Sequence, residues 1–298
     1  MIESPKVRSG ADAAQSFRDW AHAKPLSDAL LRAEAAVRAK PQAPAARWLL
    51  FELLCVLGHW DRALKQLQVW AGLSKEFDST AHVYRGLIRA ERQRTDVFAG
   101  RTSSATVVVE GTNAATWMTQ LGHALRLAAA HHAVDVLGDA ATDTLEASDL
   151  AREAALSQVS DTSGRVDERA FAWIADSDSR LGPVCEVILV GAYRWIAFSD
   201  LASLVAAPPR SLLDLVWAQT DFVLRDGTPL KGYMPMRYPM SAGDRDALLM
   251  GRETVWSEAG RTGVHARGQK MWMTDTGDIS LLDLRHCMFG TQQIGQGH

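Results

Sequence analysis

The chain has 298 residues, 47% of them hydrophobic and 22% charged, which is enough apolar material for two cores of ordinary size and argues against a disordered chain. A formal net charge of -3 removes the electrostatic case for nucleic acid or for an anionic membrane surface as a partner. No apolar stretch approaches a membrane span, and Met1–Lys6 lacks the apolar core of a signal peptide, so a cytoplasmic protein without membrane insertion is expected.

Proline use divides the chain. None occurs between Pro44 and Pro183, where alanine and leucine recur at helical spacing, whereas Pro208, Pro209, Pro229, Pro235 and Pro239 punctuate short apolar runs further on. In the first half, Ser27 is the expected N-cap of a helix through Lys40, ended by Pro41. A second helix is expected from Pro44 to Leu57, with Leu50, Leu54 and Leu57 on one face. Gly58 supplies a turn, and a third helix buries Trp60, Ala63, Leu64 and Leu67. The string Gly58-His59-Trp60-Asp61-Arg62-Ala63-Leu64, with its earlier echo at Ala29-Leu30 and Pro41, resembles the turn and second helix of a tetratricopeptide (TPR) repeat. Further helices are expected over Thr80–Arg94 and Ala114–Ala130, with a degraded unit in Trp117, Leu121-Gly122 and Ala133. Between them, Gly100–Gly111 with Thr106-Val107-Val108-Val109 reads as a loop or extended excursion. The resulting expectation is a TPR-like helical domain, an alpha-alpha superhelix, over residues 1–160.

Ser160-Asp161-Thr162-Ser163-Gly164 reads as a linker, and a mixed α+β domain is expected over residues 165–298. Phe171–Ala175 is a strand candidate. Val184–Val190 and Tyr193–Phe198 form a hairpin across Gly191-Ala192, and Phe198–Val205 reads as a short helix. Leu212–Trp217, Asp221–Leu224 and Gly232–Met236 look extended, and Asp244–Val255 reads as the one convincing helix of this half. A last hairpin joins Lys270–Met273 to Ile279–Leu284. The fold class is therefore α+β.

Sites for chemistry are sparse. Asp176 and Asp178 form a D-x-D at a strand-to-turn junction, a spacing that can hold a hard cation but that also suits turn caps. Cys55 and His59 stand four apart on what reads as one helix, too few ligands for zinc. His131-His132 falls near a helix end, where imidazolium suits the dipole. Cys185 with His265 or His286 would need an activating neighbour that its apolar strand does not supply. Gly260-Arg261-Thr262-Gly263 matches no phosphate-binding pattern and reads as a flexible basic surface loop. Cys55, Cys185 and Cys287 all lie in apolar runs, as reduced structural thiols do. No metal or cofactor is expected.

The run from Leu50 to Leu67 and the segment Trp173-Ile174-Ala175-Asp176-Ser177-Asp178-Ser179-Arg180-Leu181-Gly182-Pro183-Val184-Cys185-Glu186 together resemble the ImpE/TagJ family of type VI secretion accessory proteins. Leu212–Trp217, Arg237-Tyr238-Pro239 and Gly268–Asp283 fit in the same order, so the resemblance covers nearly the whole chain, short of its first residues and the tail after Phe289. It implies a non-enzymatic cytoplasmic adaptor that meets the small subunit of the contractile sheath, through its N-terminal helix, and the ClpV-type AAA+ ATPase that recycles contracted sheath.

On a TPR-type scaffold the partner surface would be lined by Trp48 and Glu52, with Cys55 as a further position, and Arg85 and Arg89 would meet acidic groups. Asp176, Asp178 and Arg180 are expected to tie the second domain together through turn caps and ion pairs. Two other classes stay open: a metal-dependent hydrolase using Asp176 and Asp178, and a homo-oligomer with tryptophans at its interface.

Overall fold

A computed structural model describes residues 25–106, 114–134 and 139–290. Among the described residues six helices precede the main run of strands: α1 (Leu26–Ala39), α2 (Pro44–Val56), α3 (Trp60–Ala71), α4 (Asp78–Phe98), α5 (Ala114–Val134) and α6 (Asp139–Leu156). Each packs against the next in chain order, except that α3 reaches α4 partly through the 3-10 turn Lys75–Phe77. Pro44 opens α2 at a position where its missing N–H costs nothing. Gly58 closes the same helix at φ 68, with its N–H on the Cys55 carbonyl and the His59 N–H on that of Leu54.

The strands are β1 (Ala105–Thr106), β2 (Gly164–Val166), β3 (Arg169–Phe171), β4 (Ile174–Asp176), β5 (Val184–Leu189), β6 (Ala192–Ala197), β7 (Leu201–Ala206), β8 (Trp217–Leu224), β9 (Pro229–Pro235), β10 (Thr254–Ala259), β11 (Gly263–Gly268), β12 (Met271–Thr274), β13 (Ile279–Ser280) and β14 (His286–Phe289). A nine-stranded sheet runs β1-β6-β5-β9-β8-β7-β14-β2-β3, antiparallel throughout except where β1 meets β6. A three-stranded sheet, β13-β12-β4, and the hairpin β10-β11 complete the described strands. The architecture is α+β.

Strand β5 is buried at all six positions, as expected of a strand covered on both faces. Because side chains alternate, Val184 and Ile188 join a core shared with the helices, while Cys185, Val187 and Leu189 enter a second core beneath the small sheet. The first core runs from Leu26 on α1 through Trp70 and Ile88 to Trp195 and Trp217 on the large sheet. Helix α4 touches the β5–β6 turn by backbone: a Cβ on Gly191 would sit 2.9 Å from the Gly86 Cα. Two glycines therefore allow a contact that larger residues would prevent.

Several expectations are corrected. Ser27 does not cap α1; Pro25 holds that position with no side-chain cap, and Ser27 falls inside the first turn. Phe171–Ala175 is two strands, β3 and β4, in different sheets. The hairpin turn is Val190-Gly191, both at positive φ. Phe198–Val205 is a 3-10 turn over Phe198–Asp200 followed by strand β7, which pairs with β8 and β14. Within Leu212–Trp217 lies a 3-10 turn, Leu213–Leu215, held by Asp214 accepting the N–H groups of Arg210 and Ser211 at 2.8 and 2.7 Å. Asp244–Val255 is helical only as α7 (Asp246–Leu249), because Gly251 at φ 62 turns the chain into β10. Helix α6 has no counterpart among the expected elements. Met1–Lys6, Val107–Val109 and the side chains of His131, His132 and Ala133 lie outside the described residues.

Candidate functional site

At the contact between helices and sheet, the first core encloses a chain of charges. Arg94 of α4 is buried and presents Nε and Nη2 to Glu186 of β5, at 2.7 Å to Oε1 and 2.9 Å to Oε2. Glu186 also accepts the Tyr193 hydroxyl at 2.6 Å and pairs with Lys270 Nζ at 2.6 Å. Lys270 reaches on to Asp176, which accepts the Tyr238 hydroxyl and the Asp178 N–H, each at 2.9 Å. Glu91, one turn before Arg94, accepts the Trp217 indole N–H at 2.9 Å.

Alternation along β5 explains this placement: residue 186 must face the helices, and only a paired charge is tolerated there. Burial alone would raise the Glu186 carboxyl, but Arg94 and Lys270 hold it well below the usual carboxylate range. Burial pushes Asp176 up to about 6, against the opposing pull of Lys270. Lys270 itself is held above its ordinary value, because Asp176 and Glu186 outweigh the opposing effect of burial.

Asp178 is equally committed. Its Oδ1 accepts the Arg180 N–H and Nε at 2.9 and 2.8 Å, and its Oδ2 accepts the Ala266 N–H at 2.9 Å. Burial opposes ionisation, yet Arg180 and these N–H groups keep the carboxyl below its usual value. The D-x-D pair thus joins β4, β11 and β12 rather than opening to solvent, in keeping with turn caps and ion pairs. Among the described residues no group of three or more His, Cys, Asp or Glu side chains is placed to hold a metal ion.

Beside this network lies a groove of about 540 Å³ between α4 and the segment Arg237–Ala242, with Leu57, Gly58 and Trp60 on its wall. Gly58 is required here as well: a Cβ would sit 2.1 Å from the Met240 methyl. Arg237 is buried, and its Nη1 donates to the Val56 carbonyl at 2.8 Å and to that of Leu249. Its guanidinium is shifted down to about 10, chiefly by burial.

The other sequence candidates are dispersed. Trp48 is half-buried among Phe51, Trp70 and Tyr84, with ring centroids 5.2, 4.6 and 5.4 Å away. Glu52 lies one turn further along α2 and is also half-buried. Arg85 is exposed on α4, and Arg89 is exposed but donates Nε and Nη2 to the Gly191 carbonyl at 3.1 and 3.0 Å. Cys55 and His59 do not share a helix, since Gly58 ends α2 between them; Cys55 is buried and His59 exposed. Burial pushes the Cys185 thiol well above its ordinary value, the reverse of activation. The Gly260–Gly263 turn is no loose loop: Arg261 donates its N–H to Asp149 and pairs with Glu153, both on α6, at 2.7 Å each.

Arg94, Lys270 and the role of Glu186 escaped the sequence reading. The available signal was an acid inside an apolar run, Val184-Cys185-Glu186-Val187-Ile188, and a cation at the head of another, Lys270-Met271-Trp272-Met273; Arg94, in the polar stretch Glu91-Arg92-Gln93-Arg94, carried none.

The profile of the family described as ImpE protein matches residues 168–288, which contain Asp176, Asp178, Glu186, Arg237, Tyr238 and Lys270. The type VI secretion system accessory component TagJ of Pseudomonas aeruginosa is 38% identical over 266 residues, 89% of this chain and 87% of that protein. The crystal structure of protein VPA1032 from Vibrio parahaemolyticus superposes with a TM-score of 0.75 at 25% identity, over 90% of this chain and 95% of that one.

Proposed function

The chain belongs to the ImpE/TagJ family, and on that premise we propose that it is a non-enzymatic accessory protein of type VI secretion. In this reading it binds the small contractile-sheath subunit and links it to the ClpV-type ATPase for sheath turnover, in the cytoplasm. The observation that carries the proposal is the 38% identity to TagJ across 89% of the chain. No helix among the described residues is long and apolar enough to cross a membrane.

Residues 1–160 act as a TPR-like scaffold and residues 165–298 as the α+β unit that braces it. The tight Gly58 turn between α2 and α3 and the packing of successive helices support the repeat-like part. The N-terminal helix of the sheath subunit is the proposed ligand, laid in a groove with apolar anchors and charged rim contacts. Trp48, Glu52, Arg85 and Arg89 are the proposed contacts; exposed Arg85 and the aromatic support behind Trp48 favour this choice. The hydrolase alternative has no observation in its favour, because the Asp176 and Asp178 carboxylates are taken up by Lys270, Tyr238, Arg180 and backbone N–H groups.

A pull-down separates the parts of the proposal. The full chain as bait should retain the small sheath subunit, lose it when that subunit's N-terminal segment is deleted, and recruit the ATPase only when it meets the chain directly or through the sheath subunit. Retention unchanged by the deletion would overturn the helix-binding step.

A further inference from the structure

The groove beside the buried network has a chemistry that the adaptor reading does not use. Four arginines, Arg92, Arg94, Arg101 and Arg237, and two carboxylates, Glu91 and Asp96, line it. Arg92 pairs with Asp61 at 2.7 Å, Arg101 with Asp96 at 2.6 Å, and Arg94 with Glu186. Arg237 differs. It is 4% exposed and spends only Nη1, on two carbonyls, so that its Nε and Nη2 have no acceptor and no carboxylate pairs with it among the described residues. Those two atoms form the same side-on edge that Arg94 presents to Glu186, the edge whose geometry matches a carboxylate.

We propose that this groove is a binding site for an acidic peptide segment, with a carboxylate seated on the open Nε/Nη2 edge of Arg237 and a neighbouring apolar side chain against Trp60, Leu57 and Met240. Charge complementarity selects the occupant through Arg237 alone, since Arg92, Arg94 and Arg101 are each already paired with a carboxylate and Arg237 pairs with none among the described residues. The volume of about 540 Å³ suits a short peptide stretch. A buried guanidinium without a carboxylate is costly, and a ligand carboxylate relieves that cost. Arg237 is accordingly shifted down to about 10, mainly by burial, with Glu91 only partly offsetting it.

The test uses NMR on the full chain, following the Arg237 Nε–H and Trp60 indole signals during titration with three N-acetylated peptides. These are acetyl-Leu-Glu-amide, its Gln analogue, and acetyl-Leu-Leu with a free C-terminus. Saturable shifts with the Glu peptide, weakened at least about 10-fold with the Gln peptide, are expected. A response to the free C-terminus without one to the Glu peptide would make the occupant a chain terminus and overturn the acidic-segment proposal. Thr95→Trp, an exposed substitution on the groove wall, should abolish the shifts without changing Tm, so the result does not depend on an Arg237 variant that fails to fold. Equal response to the Glu and Gln peptides, binding unaffected by Thr95→Trp, or no saturable shift with either carboxylate up to roughly 10 mM overturns the proposal. The peptides carry no sheath sequence, so failure here leaves sheath binding untouched.

Discussion

Arg94 and Glu186 meet edge to edge through two hydrogen bonds of 2.7 and 2.9 Å, joining helix α4 to strand β5 across 92 residues of sequence. Both side chains are out of water, so the pair rests on geometry and on the further hydrogen bonds from Tyr193 and Lys270. It fixes how the helical layer sits on the large sheet.

Breaking that pair should be costly. Glu186→Gln leaves Arg94 and Lys270 facing a neutral group, and urea unfolding should show a loss of about 3–5 kcal/mol. In a cycle with Arg94→Met, the double variant should lose less than the sum of the singles, with a coupling of about 1–3 kcal/mol. Additive losses would mean that the two residues do not act as a pair.

Asp178→Ala should act through the fold. It removes the acceptor for the Ala266 and Arg180 N–H groups and strands the Arg180 guanidinium, so about 2–4 kcal/mol of stability should disappear. Sheath-subunit affinity per folded molecule should stay the same. Unchanged Tm with abolished binding would make this segment a docking surface instead.

Asp200 gives a pH signature. Its carboxyl is pushed up to about 6 by burial, only partly offset by Arg225, and Oδ2 has no hydrogen-bond partner. A carboxyl whose folded value lies above its unfolded one stabilises fully at low pH and loses that contribution as pH rises through the folded value. Asp200→Asn should therefore match the native chain near pH 4 and exceed it in stability at pH 7 by roughly 1–2 kcal/mol, a figure reduced for solvent screening. A difference that is flat between pH 4 and 7 would contradict the assignment.

Val190 carries local strain. It sits at φ 51 in the β5–β6 turn and is 97% exposed, so its branched side chain gains no packing for an unfavourable backbone. Val190→Asn suits the paired positive-φ turn with Gly191 and should add about 1 kcal/mol, a Tm rise of roughly 2 °C. A lower Tm would show that valine at this tip has a stabilising contact.

Local chemistry made much of the fold legible. Pro44 and Gly58 bracket α2 because their backbone limits act within a few residues, and the β5–β6 hairpin follows from two apolar runs across one glycine. Longer-range decisions were hidden. Leu201–Ala206 became a strand because β8 and β14 flank it, and no pattern within those residues reveals either neighbour. The charged network is the extreme case: Glu186 was visible as an acid in an apolar run, but Arg94 and Lys270 reach it only through the fold. Asp176 and Asp178 drew attention as a possible cation site, and their real partners, Lys270 and Ala266, lie 94 and 88 residues away.

The adaptor reading is tested most directly by calorimetric titration of the small sheath subunit's N-terminal peptide into the full chain. The account predicts saturable one-site heat in the micromolar range, weakened by Arg85→Glu at unchanged Tm. No heat and no co-elution at high micromolar concentration would contradict it.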